Sequence, residues 1–431
     1  MPTATERSPL PPTRTCDVLV VGAGPSGAAA AHWLARAGHD VVVVERKHFP
    51  REKTCGDGLT PRSVRQLSDM GLADDLEAHH RYEGLRAVAF GRELAMRWPA
   101  VPGLPQHGYV VTRADLDALV AARAEKAGAT LWQGAEAQAP LLPDGPGGPA
   151  GGAIVTDRDH GGSCEVRARY LVVADGANSR IGRALGTARA RDLPLGMALR
   201  GYYSSPRHAE AWIESHLDIR DRAGDVVPGY GWIFPLGDGR VNVGIGLLST
   251  ADRWKGLNTS RLLEAFVDYA PASWGLSPAT ALGAPTGGRL PMALSVGPRL
   301  GPDWLVTGDA AGSINPFNGE GIAYGYETGR LAAGVLDRAL AAGPGELADY
   351  EVELEAAYGT YYRVAAGFVR LMGHPQVMRA CVATGMRMRP VMELLLRVMA
   401  NLMRPDTLGA AELAYGGLEA IARVRSLVRR T

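Results

Sequence analysis

The 431 residues include 46 Lys and Arg against 45 Asp and Glu, a net charge of +1, with 46% hydrophobic and 21% charged residues. Such proportions exclude a disordered or fibrous chain, and a balanced charge argues against a dedicated nucleic-acid binder. Four scattered cysteines (Cys16, Cys55, Cys164, Cys381) with no Cys-x-x-Cys pair argue against a zinc site or disulfide framework and suit a reducing compartment.

Residues 1–15 are Pro- and Thr-rich without an apolar core; they are expected to be disordered and do not read as a signal peptide. No apolar run approaches the ~18 residues of a membrane span. Order is expected from Cys16, where CDVLVVG has the continuous apolar character of a buried parallel strand. A Gly-rich turn follows, then an Ala-rich helix through Ala37 stopped by Gly38, and a second strand from Asp40 to Glu45. That completes a βαβ unit of about 30 residues. Beyond the polar loop Arg51 to Thr60, a helix is expected with Thr60 as N-cap and Pro61 in its first position. Another is expected from about Thr112 to Lys126. The run Asp144 to Gly152 reads as a loop tip in a hairpin, and Tyr170 to Gly176 as a third buried strand. From about Asp192 to Arg289, shorter alternating segments with aromatics predict an antiparallel sheet. Asp303 to Gly312 returns to the parallel-strand type, and the remaining tail reads as helices.

Three motifs point to a dinucleotide. In Gly22-x-Gly24-x-x-Gly27, the first glycine allows a tight turn, the second lets the backbone approach a pyrophosphate, and the third lets helix and strand pack closely. Pro25 and Ser26 lie within it, at a helix N-terminus whose positive dipole end faces phosphates. Glu45 ends the second strand 18 residues after Gly27, where a carboxylate accepts from ribose hydroxyls and disfavours a 2′-phosphate. The site therefore suits FAD or NAD rather than NADP. Arg46 follows it. The second motif, Val173 to Ser179, places Asp175 at a strand end. The third is Gly308-Asp309-Ala310-Ala311-Gly312, then Asn315-Pro316-x-x-Gly319-Glu320-Gly321-Ile322. Asp309 can hold a ribityl hydroxyl, and amides at the following helix start can face the pyrimidine edge of a flavin. Arg113 is a further candidate FAD contact, or an ordinary first-turn arginine.

These motifs, in this order, resemble the FAD-binding pattern of flavoprotein monooxygenases and their relatives, the p-hydroxybenzoate hydroxylase-like fold. The resemblance covers most of residues 16 to 340 and implies an α/β fold. A Rossmann-type FAD-binding domain would carry an interleaved antiparallel-sheet substrate domain and a C-terminal helical region. The corresponding segments are 16–85, 111–187 and 299–345 for FAD, 86–110 and 188–298 for substrate, and 346–431 for the helical tail. There is no second glycine fingerprint, so the reductant, NAD(P)H or a redox protein, must reach the flavin directly or through a partner.

Two further segments, Phe49-Pro-Arg-Glu-Lys-Thr-Cys-Gly-Asp-Gly-Leu59 and Tyr230-Gly-Trp-Ile-Phe-Pro235, resemble the geranylgeranyl reductase family, prenyl reductases that saturate isoprenoid double bonds. Within it the chain is similar to the actinobacterial menaquinone reductases, which saturate an isoprene unit of the menaquinone side chain. The family's aromatic motif is Pro-x-x-Tyr-x-Trp-x-Phe-Pro; here its leading position is Val227 and the nearest proline is Pro228.

The chemistry fits these residues. An isolated alkene gives hydride no electron-withdrawing handle, so a proton must be delivered as well, with cationic character at a tertiary carbon. Aromatic faces stabilise such charge by up to ~2 kcal/mol each when desolvated. Tyr230, Trp232 and Phe234 alternate along a strand and so share a face, although aromatics also favour strands for packing alone. Cys55 is a candidate proton donor or substrate neighbour, or a small buried filler. No histidine has metal or triad spacing.

From Glu351 onward the tail has 11 Arg and 7 acidic residues, with seven of the 12 methionines between Met372 and Met403. Flexible Met surfaces suit apolar ligands, and basic amphipathic helices suit anionic membranes; a helical cap packed on the core is the plainer reading. The expected function is FAD-dependent saturation of an isoprenoid C=C, foremost in the menaquinone side chain, by a peripheral protein on the cytoplasmic side of the membrane. The alternatives are a reductase of geranylgeranyl lipids or geranylgeranyl diphosphate and, more distantly, an aromatic hydroxylase or halogenase.

Overall fold

The computed structural model describes residues 8–145, 147–249 and 257–403. Its first sheet runs, edge to edge, Thr130–Gln133, Val41–Glu45, Thr13–Val21, Ser163–Val173, Gly152–Asp157 and Ala135–Pro140, with Trp304–Val306 pairing the far end of Ser163–Val173. The β-branched runs Val18–Val21 and Val41–Val44 are buried on both faces, as parallel strands are. They lie side by side in register Val18↔Val41, while Val18 also faces Tyr170.

One face of this sheet takes the helices Pro25–Arg36 and Ile322–Ala342 on Val18, Val20, Val41 and Val43. The other packs Leu19, Val21, Val42 and Val44 on the antiparallel strands. The two helices approach closely because Gly329 has no side chain: a Cβ there would stand 2.2 Å from the Ser26 carbonyl oxygen. Residues 8–15 are not disordered, contrary to the sequence expectation. The first strand begins at Thr13, whose partner is Glu165, and the Leu10 amide donates to Asp157 Oδ2 at 3.0 Å. Backbone pairing with a strand about 150 residues away outweighs their Pro-rich composition. Residues 1–7 lie outside the described residues.

The second sheet runs Thr286–Pro291, Leu195–Ser204, Arg240–Leu248, Gly229–Pro235, Trp212–His216, Gly84–Ala89 and Arg92–Arg97. All its pairings are antiparallel except Trp212–His216 with Gly84–Ala89. It therefore begins at Gly84, two residues ahead of the expected segment. Alternation sorts its residues: Ile233, Val243, Ile245 and Leu247 face the helix Thr259–Tyr269, sealed by Phe266 and Trp274. Residues of opposite parity face inward, toward the first sheet and the tail.

The tail helices Thr360–Met372, Pro375–Gly385 and Arg389–Met399 bridge the two halves. Tyr361, Tyr362 and Ala365 join the core of the first sheet, while Met378, Val382, Met392 and Leu396 pack on Tyr82, Met96 and Trp98 beside the second. The described tail is thus a packed cap; Arg423, Arg425, Arg429 and Arg430 lie outside the described residues. No helix among the described residues is long and apolar enough to cross a membrane.

Candidate active site

A cavity of about 1170 Å³ runs between the two sheets and under the tail helices. That exceeds the roughly 300–1,000 Å³ of a typical single-ligand site, leaving room for a cofactor and a second molecule. One end is the glycine turn. Gly22 has φ +97°, and a Cβ there would stand 2.5 Å from the Ala174 carbonyl oxygen; only glycine lets the strand turn into the helix here. The helix Pro25–Arg36 has no side-chain cap at Gly24, so its first-turn amides are left for a ligand. Gly24, Pro25 and Ser26 line the cavity together with Gly22. An uncapped helix N-terminus of this kind fits a pyrophosphate.

Glu45 stands at the strand tip, its Oε2 accepting from the Ala23 amide at 3.2 Å and its Oε1 from the Lys47 amide at 3.1 Å. Arg51, which was not among the sequence candidates, bridges Glu45 (3.1 Å) and Asp117 (2.9 Å). Asp117 in turn receives the forked guanidinium of Arg113 at 2.8 and 2.7 Å. The result is an alternating chain of four charges, three of them buried and Arg51 nearly so, in which each is paired. Arg46 is exposed at the cavity rim.

On the opposite wall, Asp175 accepts from the amides of Arg180 and Ile181 through Oδ2, while its Oδ1 is buried without a partner. Asp309 pairs with Lys53 at 3.2 Å. Gly319, Gly321 and Ile322 also reach the cavity, whereas Gly27, Gly308 and Pro316 do not. Those three act from behind the wall. A Cβ on Gly27 would strike the Gly22 carbonyl, one on Gly308 would meet Ser26 Oγ at 2.3 Å, and Pro316 is buried. These surroundings fit FAD: amides for phosphate, a strand-tip acid for ribose, and acids and amides on the far wall for the flavin end.

The middle of the cavity has an aromatic floor. Tyr230, Trp232 and Phe234 line it side by side, with ring centroids 5.8 and 6.2 Å apart. Across the strand pair they face Gly246, Gly244 and Asn242. A Cβ on Gly244 would come within 2.2 Å of the Trp232 ring, so the small residue is what lets the indole lie flat. The loop Cys55–Gly58 crosses the same rings, a Cβ on Gly56 lying 3.1 Å from Phe234.

Asn242 ties loop to floor. It accepts from Trp232 Nε1 at 2.9 Å and donates to the Cys55 carbonyl at 2.9 Å and to Asp57 Oδ2 at 2.7 Å. Asp57 is fully buried, has φ +66°, and also accepts from the Tyr202 hydroxyl at 2.6 Å. Burial pushes its carboxyl up to about 6, against the pull of those two donors. Arg200 lies 4.3 Å over the Tyr202 ring and donates to Glu52. Burial also pushes the Cys55 thiol up, so Cys55 holds its proton tightly.

Beyond Phe234 the lining becomes apolar: Trp98 and Met96 on one side, and Phe368, Met378, Met392 and Leu396 on the other. It reaches the surface among the tail helices near Cys381 and Met388, both exposed. The fold and this cavity define an FAD-dependent oxidoreductase whose cavity continues into an apolar channel.

Residues 15–198 match the family described as FAD binding domain. The chain is 41% identical to a menaquinone reductase of Mycolicibacterium smegmatis, covering 90% of this chain and 92% of that one. It is 34% identical to a digeranylgeranylglycerophospholipid reductase 2 of Methanopyrus kandleri, covering 75% and 77%. A geranylgeranyl bacteriochlorophyll reductase-like protein of Thermoplasma acidophilum superposes with a TM-score of 0.75 at 22% identity, over 94% of this chain and all of that one. A flavin-dependent brominase superposes with 0.70 at 16% identity, over 97% and all of its chain, sharing the fold. The chain belongs to the geranylgeranyl reductase family, within the branch that includes the menaquinone reductases, and its cofactor is FAD.

Proposed function

We propose that this protein saturates an isolated C=C bond in the isoprenoid side chain of menaquinone. The observation that carries the reading is the continuity of one cavity from the glycine cradle, over the Tyr230–Trp232–Phe234 floor, into the Met- and Leu-lined channel. An extended isoprenoid offers only apolar area and π-density, so shape and aromatic lining must recognise it. The identity to a menaquinone reductase over 90% of the chain favours the quinone tail among such substrates.

Bound in the cradle, FAD supplies a two-electron carrier able to deliver hydride. The protein's own contribution is placement. The rings hold an alkene against the flavin end and offer π-faces to positive charge developing at the tertiary carbon. The channel excludes water, and the Asn242–Asp57 bonds keep Trp232 and the Cys55 loop in register. The electron donor in this reading is NAD(P)H or a redox protein.

The channel mouth supports peripheral binding to an anionic membrane. Leu371 (52% exposed), at the end of one tail helix, and Met388 (50%), in the turn between the next two, stand there beside the exposed Arg379, Arg387 and Arg389. Each such basic residue near an anionic surface is worth about 1 kcal/mol, and a quinone tail can enter from the bilayer without crossing water. The deciding experiment incubates FAD-loaded protein and a chemical reductant with menaquinone in anionic vesicles, followed by mass spectrometry. A gain of two hydrogens in the side chain supports the reading. Unchanged menaquinone beside a saturated geranylgeranyl lipid would move the function to that lipid class.

A further inference from the structure

Saturating an isolated alkene adds two hydrogens by different routes. One arrives as hydride with both electrons and bonds to one carbon; the other must arrive as a proton at the neighbouring carbon. The proton needs an acid on the cavity wall that is protonated near neutrality and releases readily. Four described wall groups qualify by position. Cys55 holds its proton too tightly, for the reason given above. Tyr230 donates its hydroxyl to the Asn318 carbonyl at 2.8 Å, and burial pushes it up to about 12. Asp57 shares the pattern of a buried, partnerless oxygen (Oδ1) beside one held by two donors (Oδ2), but it is wholly enclosed behind the floor, whereas Glu320 is only half-buried on the cavity wall.

Glu320 differs. It lies between Gly319 and Gly321, in the loop that leads into the helix Ile322–Ala342. Gly319 has φ +77°, and a Cβ on it would stand 2.8 Å from the Tyr230 hydroxyl; the backbone is thereby seated directly on the aromatic floor. Glu320 Oε1 accepts from the Thr60 hydroxyl and lies 3.5 Å from Ser63 Oγ, while Oε2 is buried with no partner. An acceptor-like oxygen held by donors, beside an oxygen with none, is the pattern of a neutral carboxyl with its proton on the free oxygen.

From this geometry, and resting on the isoprenoid reading above, we infer that Glu320 is the proton donor of the reduction. In that step the Oε2–H bond breaks, a C–H bond forms at the alkene carbon that does not take hydride, and the carboxylate left behind is reprotonated from solvent. The surroundings agree. Burial pushes Glu320 up to about 7, with Glu327 reinforcing the rise and the Arg62 guanidinium, Thr60 and Ser63 opposing it. Tyr82 and Tyr324, which also feel its charge, stay neutral because burial raises them.

The test is Glu320→Gln in FAD-loaded protein. The amide keeps an acceptor for Thr60 but has no proton to release. FAD content and reduction of the flavin by dithionite should match wild type. Reoxidation of the reduced protein by isoprenoid should slow by about 100-fold or more, the scale of lost general-acid catalysis. The wild-type rate should fall above about pH 7, and that fall should vanish in the variant, while Glu320→Asp should restore part of the rate. Independently of turnover, infrared titration of wild-type holoprotein should show a protonated-carboxyl band lost near pH 7 and missing from Glu320→Gln. A variant with the wild-type rate and pH profile would overturn the assignment, as would a titration with no such band. Should wild type reduce no isoprenoid at all, the substrate reading fails, whatever the infrared titration reports about Glu320.

Discussion

Asn242→Leu keeps the side-chain volume roughly constant while deleting two donors and one acceptor. In the native site those atoms serve Trp232, the Cys55 carbonyl and Asp57 at 2.9, 2.9 and 2.7 Å. After the change the indole N–H and the Cys55 carbonyl are left unpaired in a buried setting, at about 1–3 kcal/mol each. Asp57 loses one of its two donors, a charge-assisted bond worth about 1.5–3 kcal/mol. Because Asp57 already sits near 6, losing the amide drives it to take up a proton at pH 7, which limits that part of the loss. Partial relaxation of the indole limits the rest. The expected destabilisation is about 3–5 kcal/mol, in the range reserved for broken buried networks. It would be read as a lowered urea midpoint of the FAD-loaded protein, with unfolding and flavin release followed together. Asp57, left-handed at φ +66°, is strained without its bonds, so the Arg51–Leu59 loop should also become protease-sensitive. An unfolding free energy within about 0.5 kcal/mol of wild type would refute the role given to Asn242.

Trp232→Leu keeps a hydrophobic wall but removes the π-face, so turnover should fall about 5- to 30-fold for a loss of about 1–2 kcal/mol, with FAD content unchanged; wild-type turnover would make Trp232 ordinary core. Asp309→Ala should weaken FAD retention by about 1.5–3 kcal/mol, measured by equilibrium dialysis, and unchanged occupancy would remove Asp309 from the site. Glu320 is raised in the fold, so its contribution to stability is complete below the ordinary carboxylate range and is lost as pH climbs through about 7. The stability of wild type relative to Glu320→Gln should therefore decline between roughly pH 4.5 and 7, by at most about 1.4 kcal/mol per unit; a flat difference would contradict the raised carboxyl. At low salt the protein should sediment with anionic vesicles and release at high salt, whereas equal binding to neutral vesicles would remove the role of the arginines at the channel mouth.

The parts of this structure that local sequence dictates could be read from it. Val18–Val21 and Val41–Val44 announce buried strands by composition, and the spacing from Gly22 to Glu45 announces the turn and its acid. The alternation of Tyr230, Trp232 and Phe234 gives their common face. What escaped is what distant segments settle. Thr60 reads as an N-cap, and it does occupy that position, yet its hydroxyl goes to Glu320, 260 residues on, rather than to the helix. Asn242 and Asp57 are 185 residues apart, and nothing in either local pattern pairs them. The one available hint was an aspartate flanked by Gly56 and Gly58, a context that tolerates a positive φ. Arg51 lay inside a recognised segment, but its bridge from Glu45 to Asp117 depends on how a loop folds back between a strand tip and the start of a helix.

The threading of the cofactor sheet sets the order in which a newly made chain can mature. The strand Thr13–Val21 emerges early but cannot pair its second edge until Ser163–Val173 follows, so an apolar strand edge stays open meanwhile, a feature chaperones recognise. The wall from Asp309 to Ile322 comes about 300 residues after Gly22, or about 15–60 s later at ordinary rates of synthesis. Flavin capture thus belongs to the end of biogenesis. A chain cut before Trp304 would own the whole glycine cradle and still not retain FAD, and cells short of flavin should accumulate full-length, degradable apoprotein rather than stalled fragments. Once captured, a cofactor held between segments so far apart in sequence would add stability by mass action, about 2.7 kcal/mol at a hundredfold excess over Kd.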